Sequence, residues 1–159
     1  MTATTTASFD LAPEPVLRLE RHYPHRRDRV WAALTDPEQL SRWFPCSVEV
    51  DLREGGTLTL RFPGEPEPDV AVITELSPPS ALAFTWSGEH LRWTLEEDDQ
   101  GCVLRLTNTI ADTDWTANTA AGWTTCFDAL AEVLDGRSPA PHTGPDEELI
   151  AHYRSTLGV

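Results

Sequence analysis

The feature that most restricts how this chain can fold is a change of hydrophobic period on either side of one long central stretch. From Ser47 to Ile110 apolar side chains recur at every second residue. Val48, Val50 and Leu52 alternate with Glu49 and Asp51, and Leu58, Leu60 and Phe62 alternate with Thr57, Thr59 and Arg61. The same period runs through Val70 to Leu76, Leu82 to Trp86, Leu91 to Leu95 and Cys102 to Ile110. A period of two is that of a strand with one buried face, so the stretch predicts six strands. Glu54-Gly55-Gly56, Pro63-Gly64, Pro78-Pro79, Ser87-Gly88 and Asp98 to Gly101 separate them. Connections this short pair neighbouring strands antiparallel.

The flanks add one more strand and then helical periods. VLRLERHY, from Val16, suits a first strand with Leu17, Leu19, Arg21 and Tyr23 on one face, Arg21 being the exception on an apolar side. RDRVWAAL then spaces Val30, Trp31 and Leu34 as a short helix does. Asp36-Pro37 opens a second one, PEQLSRW, because Asp36 can cap it and Pro37 fits its first turn. From Asp112 to Leu134, Trp115, Thr119, Gly122, Trp123, Cys126, Phe127, Leu130, Val133 and Leu134 fall on one broad helical stripe that Gly136 is placed to end. Gly122 weakens that helix and marks either close approach of the sheet or free volume. Three parts are expected: a mobile tail over 1–14, a domain over 15–137, and a Pro-rich linker with a short docking helix over 138–159. In that helix Leu149, Tyr153 and Leu157 lie four apart.

Composition excludes several classes of partner. A formal charge of -14 repels phosphate backbones and anionic lipid surfaces, so nucleic acid is not an expected partner. No stretch approaches the ~18 apolar residues that a membrane span needs, so no membrane insertion is expected. The opening MTATTTASFDLAPEP lacks a basic segment followed by an apolar one, which predicts a cytoplasmic protein. Cys46, Cys102 and Cys126 are odd in number and far apart, so they read as small buried side chains rather than disulfides or zinc ligands.

Seven strands of alternating character make an apolar face too large to leave wet, and the long C-terminal helix is the element able to cover it. The chain is therefore expected to be α+β: a bent seven-stranded antiparallel sheet, two short helices plugging one end, and one long C-terminal helix. Space left between sheet and helix becomes a cavity. Several blocks add to this in order: VWAALTDPEQLSRWF, VDLREGG, ELSPPSALAFTW, LRWTLEEDDQGCVLRLTNT and AGWTTCFDALAEVL. Over about residues 16–136 they resemble the SRPBCC proteins of the heat-shock-protein-90 ATPase activator-homologue type. The resemblance implies a START-like helix-grip fold. It departs from the family pattern at Trp43-Phe44-Pro45, where a Gly often precedes the Pro, and at Asp69, where a Gly often begins the next strand.

If the even-numbered positions of the strands face the helix, Leu58, Leu60, Phe62, Val70, Val72, Leu82, Phe84 and Trp86 point inward, together with Trp93 on the sixth strand. Trp43, Phe44, Trp123 and Phe127 would meet them from the helices. The candidate ligand-binding set is thus Trp43, Phe44, Phe62, Phe84, Trp86, Trp93, Trp123 and Phe127, with His90 as a polar group at the mouth and Arg21, Thr85 or Asn108 as further orienting groups. No catalytic residue, metal ligand or cofactor is assigned, because the histidines have no metal-ligand spacing and no acid and base pair is visible. The leading expectation is binding of a small hydrophobic molecule without catalysis. The resemblance implies two alternatives, a polyketide cyclase or dehydratase-like enzyme and a chaperone-linked, stress-response protein-binding module. A homodimer is a further expectation, since two-fold oligomers are the commonest.

Overall fold

The computed structural model describes residues 5–140 and 144–159. Thr6–Asp10 forms β1 and Val16–Tyr23 forms β2. Two short helices follow, α1 over Arg27–Thr35 and α2 over Pro37–Trp43. The expected meander comes next: β3 Ser47–Val50, β4 Thr57–Arg61, β5 Asp69–Ser77, β6 Ala81–Trp86, β7 Glu89–Asp98 and β8 Gly101–Thr109. One 3-10 turn, Thr113–Trp115, leads into the 19-residue α3, Thr116–Leu134, and the chain closes with α4, Glu147–Leu157.

All the strands lie in one open antiparallel sheet in the order β1, β2, β8, β7, β6, β5, β4, β3. Sheet and long helix thus agree with the helix-grip expectation, but the described sheet has eight strands where seven were expected. The additional one, β1, falls in the segment expected to be a mobile tail. Its residues alternate, with Ala7 and Phe9 packed on the core and Thr6, Ser8 and Asp10 outward, and it pairs with β2 from Thr6 opposite Glu20 to Asp10 opposite Val16. Five residues of modest hydrophobicity carry little signal alone; the ladder on the edge of β2 holds them. Residues 1–4 of the expected tail lie outside the described residues.

Local chemistry explains where the helices begin and end. The Asp36 carboxylate accepts from the Glu38 N–H at 3.2 Å, with Pro37 in the first turn of α2. Gly136, at φ +79, stops α3 in the left-handed conformation that a residue with a Cβ resists, and Arg137 N–H closes back on the Glu132 carbonyl at 2.9 Å. In α4, Asp146 caps the Leu149 N–H at 3.1 Å. This last helix packs on the chain's own α3, with Ile150 and Tyr153 buried and the Tyr153 hydroxyl 2.6 Å from that of Thr124. Of the expected linker, residues 141–143 lie outside the described residues.

The core lies between sheet and α3, and it corrects the inward set on β5. Leu58 pairs with Ala71, and Ile73 with Phe84, so Ala71 and Ile73 are buried while Val70 and Val72 point outward, 55% and 42% exposed. Both faces of this strand are apolar, so period alone cannot choose between them; the register with β4 does. Arg21, the apparent exception on β2, does face inward. It is buried, pairs with the Asp128 carboxylate on α3, and its guanidinium lies 5.3 Å from the centre of the Tyr23 ring. The Tyr23 hydroxyl donates to the Phe127 carbonyl at 2.9 Å, and burial pushes its ionisation well above the ordinary range. The three cysteines are free and buried, as expected.

Candidate functional site

The aromatic side chains brought inward by sheet and helices divide into two groups. At the end plugged by α2, Trp43, Phe44, Phe84, Trp93 and Phe127 are at most 2% exposed. Four of them pack ring against ring: Trp43 meets Phe44 at 4.8 Å and Trp93 at 5.7 Å, both edge to face, and Trp93 meets Phe127 at 6.1 Å. The Trp43 indole N–H donates to the Ala33 carbonyl at 2.8 Å, tying α2 to α1. These five expected lining residues form filled core and do not face open space.

Next to this cluster, along the N-terminal half of α3, the helix stands away from the tips of β4, β6 and β7 and leaves a cavity of about 680 Å³ that reaches Pro45 just after α2. Phe62, Pro63, Trp86 and Ser87 line it from the sheet side, Trp115, Asn118, Thr119, Gly122, Trp123 and Cys126 from α3 and the turn before it, and Pro145, Asp146 and Ile150 from the start of α4. Phe62 and Trp86 stack with ring centres 6.0 Å apart and planes 21° from parallel. The Trp86 indole N–H is held by Asp69 at 3.2 Å. Trp123 belongs to both groups. It packs edge to face on Phe44 and Trp93, at 5.4 and 5.2 Å, and presents its remaining surface to the cavity. Beside it, a Cβ added at Gly122 would meet nothing within 4 Å. Of the two readings of this glycine, free volume is the one observed.

The polar part of the wall is a relay of hydrogen bonds. The Trp123 indole N–H donates to the Asn108 side-chain oxygen at 2.9 Å, and the Asn108 amide donates to Glu89 at 3.1 Å and to the Thr109 carbonyl at 2.8 Å. Glu89 also accepts from the Ala111 N–H at 2.9 Å. An indole only donates and a carboxylate only accepts, so the Asn108 amide can take only this orientation. Asn108 is 1% exposed, which fits a side chain whose polar atoms are satisfied inside the wall. On α3, the Asn118 side-chain oxygen is buried with no hydrogen-bond partner.

The structure places His90 elsewhere than at the mouth. It lies on the outer face of β7, its Nε2 3.4 Å from the Thr74 hydroxyl and close to the pair formed by Arg92 and Glu75 at 2.9 Å. The hydrogen bond from Arg92 holds the Glu75 carboxyl below its ordinary range. Thr85 is exposed, and Arg21 is engaged by Asp128 away from the cavity. Alternation carried the missing signal: with Leu91 and Trp93 inward, Glu89 must be inward and His90 outward. Trp115 and Asn118 were also missed as cavity residues. Trp115 reads as part of the helix's buried stripe, yet it is 61% exposed at the rim. Cys46 and Cys126 are not activated nucleophiles, since burial pushes both thiols up to about 12. Among the described residues no three His, Cys, Asp or Glu side chains converge as a metal site requires.

A sheet gripping a long C-terminal helix with an apolar cavity at one end defines the helix-grip class. Residues 24–135 match the family model described as Activator of Hsp90 ATPase homolog 1-like protein, and the chain belongs to that family. Solved structures share the fold along most of the chain. The crystal structure of CalU16 from Micromonospora echinospora is 23% identical, with a TM-score of 0.75 over 99% of this chain and 97% of that one. EF2215 from Enterococcus faecalis, a conserved protein of unknown function, is 21% identical, with a TM-score of 0.82 over 96% and 91%. DynU16, from the dynemicin biosynthetic locus, is 24% identical, with a TM-score of 0.71 over 79% of this chain and 49% of that one. No match was found among curated proteins. No helix among the described residues is long and apolar enough to cross a membrane.

Proposed function

We propose that this protein binds a small hydrophobic molecule in the cavity between the strand tips and the N-terminal half of α3, without transforming it. The observation that carries this reading is an aromatic wall facing open space. Phe62, Trp86, Trp115 and Trp123 bound about 680 Å³ beside a glycine with nothing opposite it. Ligand sites are typically concave, mostly apolar and of about 300–1,000 Å³, with few polar groups to fix orientation. Here the polar groups include Glu89, Asn108 and Asn118, with Ser87, Thr119, Thr125 and Asp146 around them. A binding role fits better than catalysis because Asn108 and the Trp123 N–H are occupied by one another and by Glu89, with no free acid set opposite a base.

The test is native mass spectrometry of the purified protein, followed by thermal stability and intrinsic tryptophan fluorescence across a broad lipid and polyketide library. A copurifying small molecule, or compounds that raise the melting temperature and alter the fluorescence together, is the expected outcome. A library with no effect on either signal, and no copurifying mass, would sink the proposal.

A further inference from the structure

The hydrogen-bonding character of the cavity wall narrows the class of ligand. The donors around it are largely spent on the protein. Trp123 N–H goes to Asn108, Trp86 N–H to Asp69, and the Thr119 and Thr125 hydroxyls to the Trp115 and Ala121 carbonyls. The Ser87 hydroxyl and the Asn118 amide keep neutral donors, and all the charged capacity that remains is acceptor. Each Glu89 oxygen takes one protein donor, at 3.1 and 2.9 Å, and a carboxylate oxygen can take two. A second acidic side chain, Asp146, lines the α4 side, and among the described lining residues there is no Lys, Arg or His.

From this we infer that the cavity takes a flat aromatic ligand that brings its own hydrogen-bond donors and is neutral or cationic, and that it discriminates against the corresponding carboxylate. The inference rests on the binding reading above and gives it a chemical class. A carboxylate entering would lose water beside Glu89 without gaining a cation, which is the costly way to bury charge. An ammonium or phenol instead meets an acceptor, and the faces of Trp86 and Trp123 attract a cation. The near-parallel Phe62 and Trp86 rings, 21° apart, favour a planar partner.

Three probes sharing one ring test this: 2-naphthol, naphthalen-2-ylmethanamine and 2-naphthoate, titrated by tryptophan fluorescence at high salt to screen the net charge of -14. The phenol and the amine are expected to bind at least about tenfold more tightly than the carboxylate. Thr119→Lys, which sets a cation on the helical wall, is expected to narrow or reverse that ratio. Glu89→Gln, which removes a carboxylate, is expected to narrow it through a separate change. Asp99→Asn, in the turn beyond the far end of β7, should leave it as it is. Naphthoate binding as tightly as the other two in the unmodified protein overturns the ligand class while leaving the binding reading intact, and so does a ratio that follows Asp99→Asn as strongly as the cavity variants. If none of the three probes binds the unmodified protein while a library compound or a copurifying molecule does, the ligand class falls and the binding reading stands; if nothing binds at all, both fall.

Discussion

The two neighbouring regions under α3 are built from the same kinds of side chain and differ in what stands opposite them. At the α2 end, Trp43 and Phe44 reach in from a helix capped by Asp36, and meet Trp93 and Phe127 at ring distances of 4.8 to 6.1 Å. In the adjoining region Phe62, Trp86 and Trp115 come from strand tips and a turn, and the helix facing them offers Gly122. Aromatic content alone therefore does not mark a binding site here. Rings become core where an element fills the space opposite, and wall where none does. Trp123 touches both conditions, and its N–H, fixed by Asn108, keeps the boundary in place.

That contrast can be broken experimentally, and the largest effect belongs to the closed end. Trp93→Ala removes a fully buried ring from a filled cluster and is expected to cost about 3–5 kcal/mol in chemical denaturation. Trp86→Ala, at the half-open wall, is expected to cost less than about 1.5 kcal/mol and to weaken ligand binding instead. Equal losses of stability at the two positions would erase the distinction. Asn108→Ala strips the partner from the Trp123 N–H and one donor from Glu89. Its expected cost is about 1–3 kcal/mol by the same denaturation measurement, and a loss near zero would show that the boundary relay contributes nothing.

Gly122→Ala sharpens the contrast from the other side. Where a glycine faces open space inside a helix, a methyl group adds helix propensity without a clash, so a gain of about 1 kcal/mol is expected. Destabilisation would mean that the space is not free. A pH dependence is expected on the alkaline side. Burial raises the Cys46 and Cys126 thiols from 9.0 to about 12 and Cys102 to about 11, so the folded protein holds those protons more tightly than the unfolded chain. Stability from this source is complete below about pH 9 and declines as pH rises toward 12, because only the unfolded chain gains by ionising there. Melting temperatures of a triple Cys→Ser variant and the unmodified protein, followed across that range, should converge toward the alkaline end; parallel curves would contradict it.

How far the sequence revealed this arrangement depended on which face of each element was distinctive. β4 and β7 alternate apolar with polar, so period two placed Leu60 and Trp93 correctly inward. β5 is apolar on both faces, and only its pairing with β4, together with the irregularity between Ile73 and Glu75, decided which of its side chains were buried. β1 was too short to be read without its partner. The helical stripe on α3 was legible, but nothing in it separates residues that meet a partner, such as Phe127, from residues that meet a cavity, such as Trp115 and Gly122. Whether space is filled depends on side chains from distant elements. The one exception was Gly122, whose cost to the helix marked it in advance as a place where packing or its absence mattered.

The account's central claim is that the volume beside Gly122 is where a ligand goes. Calorimetric titration of 2-naphthol into the unmodified protein and into Gly122→Leu, with melting temperatures recorded for both, tests it most directly. Saturable binding of one molecule per chain in the unmodified protein, lost in a variant that melts no lower, is the result predicted by the open wall. Binding that persists undiminished when leucine occupies that space would contradict it.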